Sequence, residues 1–567
     1  MNTLYIYDGE VDIELSCGGP FYWYSLGNGS VCCERGYCLN DVDRLNMIAL
    51  ELRDEYSDYI YSLNNLFIEN GLIHDDRISA YFLSDLSNKR TEIFHTYSSI
   101  CHLTLIKERM KSIPIQRGVF NGCSQSFVLA TKSLYPNCSV TLKNIKKSSV
   151  SIIRQLYSQA RFFIGALARI AHIRFIDFKN PKISELENLF LTRFPMHFDK
   201  NYQEDKYGKL FTNKDYYLIS ILTDGIHQNL RFKSYKRNIR LISSKLKNSI
   251  LLDSYLRLFD VVLAIIFSVK YQLHRIILSR LSYNFKDIDI TAFISLELNQ
   301  SFIRIPRLIM YQEAIKAVFK QYKVNNFIYY LHEYCYGRYF TYMLNSFFPD
   351  VNTIGFQSGP AARRKLLYHL SSHEPDLGRK DYIRHLPMPD KVLAEDSNSV
   401  EIYNEAGYSN VILMDEIYRL RYLKDIKRKN VQPNTILVAF GLNDGQSILN
   451  FLRNEITENK DKKYILKLHP RSSRNNSIIN QSQEFNDSNI EIGNAHISEY
   501  LGFVSEVIVS YSSVGTEADM LGIPIRLIKL PNKINESPLL DIQELDPRRE
   551  KNHYNLEHKL FVVREHE

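Results

Sequence analysis

Between Thr435 and Leu530 the chain reads TILVAF (435–440), YILKLH (464–469), IEIG (490–493), VIVS (507–510) and IRLIKL (525–530), five short runs dominated by Ile, Leu and Val. Apolar runs this short, with little polar alternation, suit strands buried on both faces. Helical stretches separate them, beginning near Ser447, Ser498 and Thr516. Strict alternation of strand and helix predicts a parallel sheet covered on both sides.

The same rhythm is present further upstream. NFIYYLHE (326–333) reads as a buried strand, Tyr336 to Phe347 as a helix, and TIGFQ (353–357) and KVLAE (391–395) as further strands, followed by a helix over Ser399 to Ala406 and the strand NVILM (410–414). The polar, basic stretch RYLKDIKRKNVQPN, broken by Pro433, marks a linker near residues 422–433. The fold class expected is therefore α/β with two Rossmann-like domains. Residues 1–425 are expected to form one domain, whose Rossmann-like core is 325–425, and residues 426–567 the second. The first 300 residues offer short strand-like pieces (Leu4 to Tyr7, Ser30 to Cys33) and long helical stretches (Asp41 to Asn70, Lys147 to Ile173), which predict a largely helical, irregular extension.

A chain of 567 residues exceeds what one hydrophobic core organises. Its 45% hydrophobic and 24% charged residues are ordinary globular proportions, with a heavy aromatic load of 38 Tyr and 31 Phe against a single Trp. The eight cysteines show no zinc spacing and read as reduced thiols. The acidic start MNTLYIYDGEVDIEL lacks the basic flank and apolar core of an export signal, so a cytoplasmic protein is expected. Val261 to Val269 is too short to span a bilayer and reads as a buried helix. Seven Lys and Arg fall between Arg231 and Lys247, and no acid occurs from Gly225 to Leu252. That segment reads as a solvated helix face, or as a patch touching a lipid-phosphate acceptor or anionic lipid in a peripheral contact with the inner membrane. No nucleic-acid motif accompanies it.

Ligands of open α/β sheets bind beyond the carboxyl ends of strands, so the loops that follow the strands carry the functional expectations. After TILVAF comes Gly441-Leu442-Asn443-Asp444-Gly445, a glycine-bracketed loop opening a helix, where free N–H groups suit a phosphate. After YILKL come His469, Pro470 and Arg471, with Lys467 two residues before the histidine; an imidazole so placed can protonate or hydrogen-bond a departing phosphate. After VIVS come Ser512, Ser513 and Gly515, whose hydroxyls and helix N–H groups are neutral phosphate donors. Each loop, taken singly, also suits an ordinary helix cap or strand terminus.

In this order the three loops resemble the acidic-acidic-Gly, His-Pro and Ser-Ser/Thr motifs of bacterial sialyltransferases and the related capsule and lipopolysaccharide Kdo transferases. HEYCYGRYF, GFQSGPAARRK and DEIYRLRYL are similar to stretches of surface-carbohydrate proteins from O-antigen and capsule clusters. The resemblance covers roughly Asn325 to Leu530 and implies a GT-B architecture and a CMP-linked donor. It further implies that His469, Ser512 and Ser513 contact the donor phosphate and that Glu499, in HISEYLG, holds the ribose. Asn443 departs from the pattern, standing where an acid is usual and leaving Asp444 alone, as a catalytic base or a loop former.

In the upstream half, Glu333, Gln357, Ser358 and Gly359 follow strands and are expected to face the cleft between the domains; Arg363, Arg364 and Lys365 offer cations to a carboxylate or phosphate. Asp85 and His95 are candidate acceptor contacts, and Glu416 and Arg421 a hinge pair or a substrate contact. The Asp-x-Asp pairs Asp41/Asp43 and Asp287/Asp289 do not clearly follow buried strands, so no metal is expected. The function expected is transfer of a nonulosonic-acid or Kdo-type sugar from CMP to a lipid-linked surface glycan. His469, Ser512 and Ser513 would aid phosphate departure, and Glu333 or Asp444 would take the acceptor proton. A CDP-polyol phosphotransferase and a non-catalytic scaffold in glycan assembly are the alternatives.

Overall fold

The computed structural model describes residues 2–558, apart from 10–12, 16–19, 28–30, 33–35, 92, 147–151, 177, 200, 205, 221–231, 332–333, 377, 379, 429, 443, 470–471, 473–474, 485–488, 531 and 546–553. Three large parallel sheets organise the chain. The first is made of β1 (Thr3–Tyr7), β2 (Phe21–Ser25), β3 (Gly36–Cys38), β4 (Arg117–Asn121) and β5 (Ser139–Lys143), in the order β3-β2-β1-β4-β5. The second takes β6 (Glu185–Arg193), β7 (Tyr216–Ser220), β8 (Ser249–Leu251), β9 (Lys323–Tyr330), β10 (Asn352–Phe356), β11 (Lys391–Ala394) and β12 (Val411–Leu413), in the order β8-β7-β6-β9-β10-β11-β12. The third takes β13 (Thr435–Ala439), β14 (Lys463–Lys467), β15 (Ile490–Gly493), β16 (Glu506–Val509), β17 (Ile525–Lys529) and β18 (Tyr554–His558), in the order β15-β14-β13-β16-β17-β18.

The two parallel α/β units expected from the alternation are the second and third sheets. The expectation of an irregular, helical beginning is corrected, because residues 3–143 build a parallel sheet of their own. Its strands run only three to five residues and are led by aromatics (TLYIY, FYWYS, GYC), too short to announce a period. The second sheet also begins well before Asn325: β9 pairs with β6, so the strands after 323 are its second half.

In each sheet the chain winds outward from an inner strand and then returns to that strand's other side. The reversals fall between β1 and β4, β6 and β9, and β13 and β16. Loops leaving the two strands at a reversal diverge and open a crevice at their carboxyl ends.

The third sheet shows why its strands read as continuous apolar runs. Leu437 and Ala439 of β13 enter one core with Ile465, Val507 and Val509, while Ile436 and Val438 enter a second core with Tyr464, Leu466 and Ile508. Burial on both faces removes the polar alternation of a half-exposed strand. Leu420 and Leu423, which precede the sheet, belong to the first of these cores. The basic linker segment is thus docked onto the third unit, and the Arg428 guanidinium donates to the carbonyls of Leu501 and Val504 at 3.2 and 3.1 Å.

The third unit also seats against the first. Lys529 pairs with Asp43 of helix α1 (Val42–Glu51) at 3.0 Å, the Asn535 N–H donates to Asn46 Oδ1 at 2.8 Å, and Asn532 donates to the Leu26 carbonyl at 3.3 Å.

The apolar stretch Val261 to Val269 lies in a helix, but the buried reading of it is corrected: Val262, Ile265, Ile266 and Val269 face solvent. Apolar composition does not distinguish a core helix from one that leaves an apolar side uncovered.

Candidate functional site

The three polar loops leave neighbouring strands. Gly441–Asp444 follows β13, His469 follows β14, and Tyr511–Ser513 follows β16. Because β14 and β16 flank β13, all three emerge at one rim, with the reversal between β13 and β16 in their midst.

The first and third loops touch. Asp444 Oδ1 accepts from the Gly441 N–H at 2.7 Å, closing the loop on itself. A Cβ on Gly441 would stand 2.9 Å from the Tyr511 ring and 3.0 Å from Asp444 Oδ2, so a side chain there would push one of them away. The Asp444 side chain is fully enclosed, and burial pushes its carboxyl up to about 6 against the opposing pull of Lys533 and of nearby backbone N–H groups. In this arrangement Asp444 presents no surface to a substrate. Asn443 lies outside the described residues, as do Pro470, Arg471 and Glu333.

His469 is half-buried, and its carbonyl accepts from the Ser472 N–H at 3.1 Å and from Asn475 Nδ2 at 3.0 Å, which fixes the turn after β14. Ser512 and Ser513 are half-buried where helix Val514–Met520 begins; their carbonyls accept from Gly515 and Glu517. Gly515 has a packing reason, since a Cβ there would meet Leu539 at 2.7 Å and Val509 at 3.0 Å. Gly445 has the same kind of reason, with Ile478 at 2.5 Å.

Lys467 and Glu499 lie at the β14–β15 side of the rim. The Lys467 ammonium donates to the carbonyls of Ala495 (2.6 Å) and Gly493 (3.4 Å), and burial lowers its pKa while Glu499 opposes that. Glu499, in the first turn of helix Ile497–Leu501, is exposed.

Gln357 sits at the end of β10 with its amide committed. It donates to the Gly359 carbonyl (2.8 Å) and to Ser399 Oγ (2.9 Å), and accepts from the Glu395 N–H (2.8 Å). Gly359, at φ +120, donates its N–H to Glu395 Oε1 at 3.1 Å, and beside it Ser358 is half-buried. The basic triplet is likewise engaged. Arg363 pairs with Glu405 and Glu401, buried Arg364 pairs with Asp541 at 3.2 Å, and Lys365 lies over the Tyr368 ring.

Two groups of residues that sequence reasoning missed join this rim to the other units. Glu395, just after β11, accepts two bonds from Arg419, while Glu517, beside Ser513, accepts from Tyr422 at 2.6 Å. On the other side Asp8, following β1, pairs with Lys146 at 2.8 Å. Charges on Asp8 and Lys533 both act on His95, whose pKa burial depresses. Asp8-Gly directly after a strand was the available signal. Asp85 is instead a buried partner of Arg304. Glu416 pairs with Lys424 and Arg421. Asp41 and Asp287 pair with Arg109 and Lys107, and Asp289 accepts from the Thr291 N–H.

No family model matches the chain, and no curated protein does. Sixty chains of solved structures match. Among them are the UDP-GlcNAc 2-epimerase from Neisseria meningitidis bound to UDP-GlcNAc, at 10% identity and TM-score 0.33 over 60% of this chain and 82% of that one. The UDP-GlcNAc 2-epimerase from Methanocaldococcus jannaschii has 10% identity and TM-score 0.32 over 66% and 88%. A variant of the wall teichoic acid polymerase TagF has 12% identity and TM-score 0.27 over 70% and 82%.

Proposed function

We propose that this chain is a glycosyltransferase of GT-B type that holds a nucleotide sugar at the carboxyl rim of the third sheet. The donor proposed is a CMP-linked nonulosonic-acid or Kdo-type sugar, and the acceptor a lipid-linked surface glycan. The observation that carries this reading is the emergence of the His469, Asp444 and Ser512-Ser513 loops from three adjacent strands around one reversal. Phosphates favour such places because backbone N–H groups and hydroxyls converge there.

In this reading His469 gives a proton or hydrogen bond to the leaving phosphate as the glycosidic bond breaks, and Ser512 and Ser513 stabilise the charge that develops. Asp444 keeps the glycine loop closed, consistent with its enclosure. Glu499 is the ribose contact, with Lys467 holding the backbone beside it.

The test is calorimetric titration of the full chain with CMP, CDP and UDP, followed by product analysis with cytidine-activated donors. Binding of CMP and a glycosidic product are expected. A phosphodiester product from a CDP-polyol would replace the reading with a phosphotransferase, and binding of no nucleotide would overturn it.

A further inference from the structure

Three helices in the middle of the chain lie side by side: α2 (Ile152–Ile176), α3 (Phe232–Lys245) and α4 (Leu258–Leu278). Buried polar and apolar ties hold them. Gln159 of α2 donates to Ser268 of α4 at 3.2 Å, and Ile173 of α2 shares a core with Tyr235, Ile239 and Ile242 of α3. Their inward sides are thus used up. Val261, Ala264 and Tyr271 of α4 enter the main core against the helix Thr291–Ile309.

The outward side of α4 is apolar along its length. Phe259, Val262, Ile266, Val269, Leu273 and Ile277 recur at three- and four-residue spacing, and each is at least half exposed, Ile266 at 59% and Val269 at 58%. The adjacent helix α2 also exposes apolar side chains, Ile153, Tyr157, Ile164 and Phe175, the last at 89%. An uncovered apolar surface spread over two helices is far beyond the scattered exposed residues normal for a folded chain.

Charge identifies what covers it. Helices α2 and α3 carry four and five Lys or Arg respectively and no Asp or Glu. The one acid of α4, Asp260, is buried and paired with Arg257. On α3 one side is buried through Tyr235, Ile239 and Ile242, and Lys233, Arg237, Arg240 and Lys245 are exposed. An apolar face flanked by the cations of α3, on helices that expose no acid of their own, is complementary to the headgroup boundary of an anionic bilayer. By length and composition α4 is able to cross a membrane, but its inward side is committed to the core, so it lies along the surface.

We propose that the outward face of α2 and α4, with the cations of α3 beside it, seats this protein on the surface of an anionic lipid bilayer. Apolar side chains of α4 and α2 enter the headgroup region, and Arg237 and Arg240 meet lipid phosphates. None of these side chains belongs to the rim of the third sheet.

The test is co-sedimentation of the full chain with vesicles of phosphatidylglycerol and phosphatidylethanolamine, compared with phosphatidylcholine vesicles. Binding to the anionic vesicles that weakens with salt is expected. Ile266→Glu with Val269→Glu, at exposed positions, should lower binding about tenfold or more. Arg237→Glu with Arg240→Glu should lower it by about tenfold or more. Circular dichroism checks the fold of both variants. No sedimentation with anionic vesicles, or binding by either variant equal to that of the native chain, overturns the proposal. A concentration-dependent dimer in the ultracentrifuge that Ile266→Glu abolishes, without vesicle binding, assigns the face to a second copy instead.

Discussion

Arg419 grips Glu395 with two parallel hydrogen bonds, each 2.8 Å long, where the chain passes from the second sheet to the third. Glu395 is almost wholly enclosed and also anchors the Gly359 N–H, so the pair ties the β10 loop to the connecting segment. Arg419 further feels the Glu517 carboxylate, which places it between the rims of both sheets.

Removing the guanidinium leaves a buried carboxylate without its partner. Arg419→Ala should therefore destabilise the protein by about 3–5 kcal/mol, read as a fall in Tm. Arg419→Lys keeps the charge but not the fork, and should recover only part of that loss. Equal Tm for all three proteins would show that the pair is not a tie between units.

The Asp444 carboxyl titrates at about 6 in the folded chain against an ordinary value of 3.8. Its folded-state value is the higher one, so the native state holds the proton more tightly. Its contribution favours folding most below about pH 4 and declines as pH rises to 6, leaving a penalty of about 3 kcal/mol at neutral pH. Asp444→Asn keeps the acceptor for the Gly441 N–H and removes the charge. It should raise Tm at pH 7.5 relative to the native chain and flatten the dependence between about pH 4 and 6. Retained transferase activity in that variant would support the loop-holding role; loss of activity with raised Tm would return the base role to Asp444.

Gly441→Ala puts a methyl group within 3.0 Å of both Tyr511 and Asp444. The two loops must part, at a cost of about 1–3 kcal/mol. Weaker nucleotide binding should accompany the lower Tm, since the same parting widens the crevice. Unchanged affinity in calorimetry would detach this contact from the site.

His469→Ala removes a half-buried side chain at a strand end and should leave circular dichroism unchanged. Turnover with a cytidine-activated donor should fall about 10²–10⁴-fold if the imidazole serves the leaving phosphate. Undiminished turnover in the folded variant would end that role.

The third sheet was legible because β13, β14 and β16 are buried on both faces, and their sequences carry that burial as short runs rich in Ile, Leu and Val. The loops at its rim were legible for a related reason: polar residues directly after such runs have few other places to go. What stayed hidden depends on contacts distant in sequence. No pattern around Glu395 announces Arg419, and nothing near Gln357 tells that its amide is spent on Gly359, Ser399 and Glu395. The first sheet escaped notice because a three-residue strand such as GYC gains its identity only from the neighbour it pairs with.

Leu420 and Leu423 sit inside the core of the third unit although they precede its first strand. Proteolysis or truncation after Ile426 would strip two hydrophobic plugs from that unit and bare the groove they fill. An autonomous C-terminal fragment therefore has to start ahead of Ile417, and gene fusions or domain exchanges made at the basic stretch further on would cut through a core instead of between two.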